Sequence, residues 1–301
     1  MGMRRRVLGM TVLLLSLSTV TGLPAGAQES APAAPAAAPA GCPEPKPVPI
    51  PDVAYGSHPR HTLDIYPAPG RVAAPIVITV HGGGWVRGDN SGKRITCVTQ
   101  RFHELGYAVF SINYRQATPQ QDGVPMQTND ITQAVRWVAA NGARYGGDVR
   151  NINLLGGSSG AQLVALAGQL MNRQQPGLLR GVVEMSGVMD FVAFFQPGQT
   201  APGDEQHEGA STYLGCTPST CTDQELKQAS PRYQIRAGTC PDYLLIHGKT
   251  EVLPVTQATE MHKALLNAGC ESTIKVPNTS QHGLALLGFT EADIVAFLNN
   301  P

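Results

Sequence analysis

Asn151-Ile152-Asn153-Leu154-Leu155-Gly156-Gly157-Ser158-Ser159-Gly160-Ala161 is the stretch on which the fold turns. A short apolar run, Asn151 to Leu155, enters it, and a small-residue run with helical spacing, Ala161 to Met171, leaves it. Between them Gly156 to Gly160 reads G-x-S-x-G. Strand, sharp turn and helix in that order make a nucleophile elbow, which holds a serine hydroxyl above the edge of a sheet. The turn is so tight that the residues flanking Ser158 must be small. In 301 residues with 33 glycines the five letters alone decide little; the strand before them and the helix after them decide more.

The same alternation extends outward. Apolar runs predict strands over 62–66, 75–80, 107–113, 151–155, 182–185, 243–247 and 272–276. Amphipathic spacing predicts helices over about 92–105, 126–141, 161–171, 255–268 and 286–299. Short apolar strands between helices indicate an α/β fold with a mostly parallel sheet covered on both faces. Such sheets carry their chemistry at the carboxyl ends of the strands. One stretch breaks the rhythm: from Asp190 to about Ser230 no clear element stands out. That is long for a plain loop in a compact domain, and it reads as an excursion over the active-site face, pinned by Cys216 and Cys221.

Lys and Arg together number 22, as do Asp and Glu. This balance offers no basic field for nucleic acid and no acidic tail. Arg4-Arg5-Arg6, the apolar run Val7 to Val20 and Ala25-Gly26-Ala27 have the pattern of an export signal over 1–27. The apolar run is too short for a stable membrane anchor, and both the general and the twin-arginine export routes fit it. Residues 28–51 are Ala/Pro-rich and read as a linker, leaving 52–301 as the catalytic domain. The expected destination is secreted or periplasmic, where six cysteines suit three disulfides. Cys216 and Cys221 are neighbours in a turn-rich stretch; Cys240 and Cys270 each precede a strand and could meet at one sheet edge; Cys42 and Cys97 remain. No pair has the C-x-x-C spacing that would favour the zinc alternative.

The candidate reactive residues each follow a predicted strand. His81-Gly82-Gly83-Gly84-Trp85 comes directly after 75–80. Glycines let backbone N–H groups reach a substrate carbonyl, and such donors stabilise a tetrahedral oxyanion. This HGGG-type loop works with the N–H of the residue after the nucleophile, here Ser159. In this strand–turn–helix architecture the base comes after both serine and acid, past the last strand. Of the eight histidines only His282 meets that order. His81 and His247 look structural. The acid should follow the strand 243–247, where Glu251 is the one carboxylate between His247 and Pro254; Asp190, past the strand 182–185, is the rival.

Further segments join this set: Thr62 to Tyr66, Gly88-Asp89, Ile112 to Arg115, Tyr145 to Asp148, Ser186 to Asp190, Tyr213 to Gly215 and Ala229 to Pro231. Together, over about residues 52–300, they resemble the α/β-hydrolase esterases and lipases related to hormone-sensitive lipase. The resemblance is specifically to the small carboxylesterase branch with HGGGW motifs, which includes feruloyl-esterase-like members. It implies a mostly parallel eight-stranded sheet with helices on both faces and a short insertion over the active site. It also implies Ser158 as nucleophile, His282 as base, and N–H groups of Gly83, Gly84 and Ser159 as oxyanion donors, with Gly82 an open alternative to Gly84. No metal or cofactor is called for. The family usually has Asp where this chain has Glu251, with the following proline one residue later; the longer side chain would offset the shorter loop. The implied activity is a serine carboxylic-ester hydrolase working through an acyl-enzyme on small, aromatic or carbohydrate-linked esters, such as ferulate or acetate on xylan. Aryl-formamidases and peptidases share the fold, so fold alone does not choose. An inactive hydrolase fold serving as a binding module is the reading from another class, and an intact Ser158, His282 and glycine loop argue against it.

Overall fold

The structure, a computed structural model, describes residues 47–70, 73–197 and 205–299. The leader expected over 1–27, most of the linker and Cys42 lie outside the described residues. Eight strands form one sheet: β1 (Ile50–Ala54), β2 (Thr62–Tyr66), β3 (Ala74–Val80), β4 (Ala108–Ile112), β5 (Gly147–Gly157), β6 (Leu179–Met185), β7 (Asp242–Ile246) and β8 (Ser272–Lys275). Their order is β1-β2-β4-β3-β5-β6-β7-β8. The pairs β1–β2 and β2–β4 are antiparallel, and every pair from β4 onward is parallel.

Eight helices accompany the sheet: α1 (Lys93–Glu104), α2 (Met126–Asn141), α3 (Ser159–Gln174), α4 (Phe191–Phe194), α5 (Glu205–Leu214), α6 (Asp223–Ala229), α7 (Thr256–Asn267) and α8 (Leu287–Leu298). Two apolar cores lie on opposite faces, divided by the alternation of side chains along each strand. Ile76, Ile78 and Val80 of β3 face α2, α3 and α7, with Ile131, Val135, Leu163 and Met261 among the buried partners. Val77 of β3, Val183 and Met185 of β6 and Ile246 of β7 face α1 and α8, against Phe102, Ile294 and Leu298. Burial on both faces is why these central strands read as continuous apolar runs.

β1 is an addition to the strands anticipated from the apolar pattern. It is an edge strand, exposed over most of its length and containing Pro51, so it has neither the apolar alternation nor the unbroken donors of an inner strand. It begins at Ile50 and so takes in the last two residues assigned to the linker.

The stretch after Asp190 requires a larger correction. It contains α4, α5 and α6, where no clear element was expected. Asp190 caps α4 by accepting from Ala193 N at 3.0 Å. Thr222 and Glu225 cap α6 reciprocally, each side chain bonded to the other's backbone N–H. Short helices held by caps and aromatic packing show little apolar periodicity, which is why they were missed.

Register brings the reactive loops together. Val80 pairs with Gly156, Gly157 with Met185, Met185 with Ile246, and Ile246 with Lys275. The residues just past β3, β5, β6, β7 and β8 therefore emerge side by side at one edge.

Disulfides join Cys216 to Cys221 and Cys240 to Cys270, the latter pair just before the adjacent strands β7 and β8. Those four sulfurs are thereby unavailable to zinc. Cys97 is also disulfide-bonded. The Cys240–Cys270 bridge closes 30 residues of chain, for which loop entropy gives about 3.6 kcal/mol. Cys240→Ala/Cys270→Ala should lose about that much stability in urea unfolding; a loss near zero would mean that β7–β8 packing makes the bridge redundant.

Candidate active site

Ser158 occupies the turn between β5 and α3 with φ 58° and ψ −125°, a conformation that costs a non-glycine residue about 1–3 kcal/mol. Its surroundings hold it there. Ser158 N donates to Met185 O at 2.9 Å, and Ser158 O accepts from Ala161 N at 2.9 Å. A Cβ on Gly160 would lie 2.5 Å from the carbonyl oxygens of both Val80 and His81, and one on Gly156 would lie 2.4 Å from Gly160 O. The start of α3 thus packs backbone-to-backbone on the end of β3, which is the physical content of G-x-S-x-G in this chain.

His282 precedes a short 3-10 turn, Gly283–Leu286. Its Nε2 is 2.9 Å from Ser158 Oγ, and its Nδ1 meets Glu251 Oε2. With Nδ1 donating to the carboxylate, Nε2 is left to accept the serine proton. Glu251 Oε1 accepts from Gly248 N and from His247 Nε2, both at 3.0 Å. The structure therefore brings Ser158, His282 and Glu251 into one line. Asp190 lies elsewhere: beyond its capping role, it accepts from Arg232 Nη1 at 2.8 Å and from the Tyr233 hydroxyl at 3.2 Å.

A cavity of about 400 Å³ opens on this line, with Ser158, His282, Gly82, Gly83 and Leu284 in its wall. Gly84 turns its carbonyl oxygen toward α5, where a Cβ on Gly209 would come within 2.6 Å of it. Gly83 O accepts from Arg87 N at 3.1 Å, closing the glycine turn. Ser159 is the first residue of α3, so its N–H has no partner within the helix. Trp85 anchors the loop from behind: its indole donates to Gln162 Oε1 at 2.9 Å and stacks on Tyr213 with centroids 5.2 Å apart. Gln162 in turn donates to Ala229 O at 2.8 Å. The helical excursion after Asp190 is thus tied to both the glycine loop and α3.

With this geometry in place, known proteins supply the relationship. The family described as BD-FAE matches residues 63–265, more than half of the chain. The chain belongs to the BD-FAE family. This BD-FAE chain is 30% identical over 256 residues to the probable carboxylic ester hydrolase LipM of Mycobacterium tuberculosis, covering 80% of this chain and 57% of LipM. With the esterase LipQ of the same organism it shares 31% identity over 260 residues, covering 81% and 59%. It therefore spans under two thirds of the length of both relatives. A truncated carbohydrate esterase from gut microbiota superposes with a TM-score of 0.71 at 24% identity, covering 87% of this chain and 100% of that one. Esterase B of Lactobacillus rhamnosis gives 0.68 at 22%, covering 84% and 87%. These likenesses establish the α/β-hydrolase fold.

The electrostatics of the family site follow from burial. Glu251 is fully buried, which works against its charge, yet hydrogen bonds from His247 and His282 and their charge hold its carboxyl down at about 2. Glu184 of β6 is equally buried and accepts one backbone N–H, from Gly187 at 2.9 Å. Burial pushes its carboxyl up to about 8, against the opposing pull of His247. His81, lowered by burial to about 4, is neutral; its Nδ1 donates to Gly82 O at 2.8 Å.

Two residues beyond the expected set hold it in place. Ser186 Oγ accepts from Gly283 N at 3.0 Å, fixing the backbone that carries His282. His247, expected to be merely structural, touches Glu251 directly. Its Nε2 faces two acceptors, Glu251 Oε1 and Leu253 O, each at 3.0 Å, so that nitrogen carries the proton. A histidine beside Glu251 in sequence was visible; its direction was not.

Two measurements test these contacts. His247→Leu should lower kcat about tenfold, the worth of one hydrogen bond to a charged group, with KM little changed and His247→Gln recovering part of the loss. Glu184 is raised above its ordinary 4.5, so its contribution to stability is complete below that pH and is lost as pH rises through about 8. Glu184→Gln should accordingly gain melting temperature relative to the parent between about pH 5 and pH 8. An offset that is constant across that range would refute the buried neutral carboxyl.

Proposed function

We propose that this chain is a serine carboxylesterase that works through an acyl-enzyme, with Ser158 as nucleophile, His282 as base and Glu251 as the acid behind it. The reading rests above all on the unbroken contact from Ser158 Oγ through His282 to Glu251 at the wall of a cavity. Ester hydrolases among the relatives point to the same reaction class. Ser158 Oγ bonds to the ester carbonyl carbon while its proton passes to His282 Nε2. The oxyanion takes hydrogen bonds from Ser159 N–H and from Gly83 N–H with Gly84 or Gly82 beside it. The C–O bond to the alcohol then breaks, and the alcohol leaves with the proton from His282. Water, deprotonated by His282, attacks the acyl carbon, and Ser158 is released as the acid departs.

The cavity has room for small, aromatic or sugar-linked esters, the substrates proposed here. Export to an oxidising compartment is part of the proposal, with 1–27 as a removed leader, 28–51 as a linker and 52–301 as the catalytic domain; the disulfides accord with that destination.

Ser158→Ala should abolish hydrolysis of para-nitrophenyl butyrate. Glu251→Gln should lower kcat by roughly ten-thousandfold, whereas Asp190→Asn should retain most of it. Undiminished turnover by Ser158→Ala would overturn the reading. Absence of labelling by a fluorophosphonate probe would favour the binding module instead.

A further inference from the structure

The cavity beside Ser158 has a charged mouth that ester hydrolysis itself does not require. Its wall includes Lys93 and Arg94, at the start of α1, together with Asp89. Lys93 and Arg94 are exposed, and neither has an ion-pair partner among the described residues. α1 carries no acidic residue in its first turn to offset them.

Asp89 does not neutralise this pair, because its carboxylate is already engaged. Its Oδ1 accepts from Ser91 N at 3.0 Å and from Ser91 Oγ at 2.7 Å, and its Oδ2 lies 3.6 Å from Arg60 Nη1. Partial burial works against its charge, but the Ser91 hydrogen bonds and Arg60 hold the carboxyl below the usual carboxylate range. Arg60 is itself fastened, donating to Tyr114 O at 2.8 Å and to Gly88 O at 2.9 Å. Arg60 thus offsets Asp89 from outside the loop, and two cations remain over on the cavity side.

Low-dielectric walls concentrate such a field and favour ligands of opposite sign. Ile95, Leu284 and the glycines supply those walls. We propose that Lys93 and Arg94 form a subsite for a carboxylate carried by the ester substrate, so that the preferred substrates are anionic esters. This rests on the carboxylesterase reading above and adds the charge of the substrate to it. The carboxylate could belong to the acyl group or to the alcohol, and both place it in the same cavity.

Two matched substrate pairs distinguish these sources. Para-nitrophenyl hydrogen glutarate against para-nitrophenyl hexanoate tests the acyl side. Para-acetoxybenzoate against phenyl acetate tests the alcohol side. Each ratio of kcat/KM is corrected for the rate of the same ester in hydroxide alone. We expect a preference of about tenfold for the anionic member of at least one pair, the combined worth of two exposed charge pairs. The preference should shrink as salt is raised, because exposed charges are screened. It should fall to parity in Lys93→Ala/Arg94→Ala and invert in Lys93→Glu/Arg94→Glu. Both positions are exposed, so these variants should fold; a melting temperature near the parent's checks this. No preference in either pair, or one that survives charge reversal, overturns the subsite. If the parent chain leaves all four esters intact, the carboxylesterase reading fails instead.

Discussion

The contact on which the site depends is the approach of Gly160 to the carbonyl oxygens of Val80 and His81. A Cβ there would sit 2.5 Å from each. Because α3 begins against the end of β3, the turn between β5 and α3 has no room to relax, and Ser158 stays at positive φ. The same contact sets the glycine loop beside the serine, since His81 is both a residue that Gly160 touches and the residue that opens that loop. One close approach of backbones therefore brings Ser158 and the glycine loop together before any side chain takes part. The conformational cost at Ser158 is offset by the sheet and helix that converge on it.

A second device brings His282 to Ser158. The loops after β7 and β8 carry Glu251 and His282, and backbone hydrogen bonds join them: Lys249 N to Pro277 O at 3.0 Å and Thr250 N to Thr279 O at 3.1 Å. Glu251 and His282 are thus positioned as one unit by the parallel register of β7 and β8. Ser186 then ties that unit to the end of β6 through Gly283 N. Each element that supports the site does so at the carboxyl edge of the sheet, where the ends of parallel strands leave donors and acceptors free for loops.

These two devices differ in how legible they are in sequence. The elbow could be read because its requirement falls on adjacent residues: an apolar strand, small residues and a helix within about twenty positions. Chain order and strand ends pointed to His282 and Glu251, whose side chains meet in the structure. β1 was missed because an exposed edge strand with a proline has no apolar run, and α4 to α6 because their order comes from caps and from the cluster of Trp85, Phe191 and Tyr213. His247 and Ser186 act through directions of side chains, which depend on strands distant in sequence being paired. Nothing local to His247 shows that its ring turns toward Glu251 rather than toward the core.

The two oxygens of the Glu251 carboxylate have different tasks in this arrangement. One reaches His282, and the other faces back toward its own loop. That second oxygen would be an unpaired buried charge if Gly248 N and His247 Nε2 did not meet it. Glu184, as buried but given a single N–H, is pushed in the opposite direction. Two carboxyls on neighbouring strand ends thus differ in charge through the number of donors each receives. The carboxyl with donors on both oxygens is the one held in its charged form, and His247 supplies one of those donors.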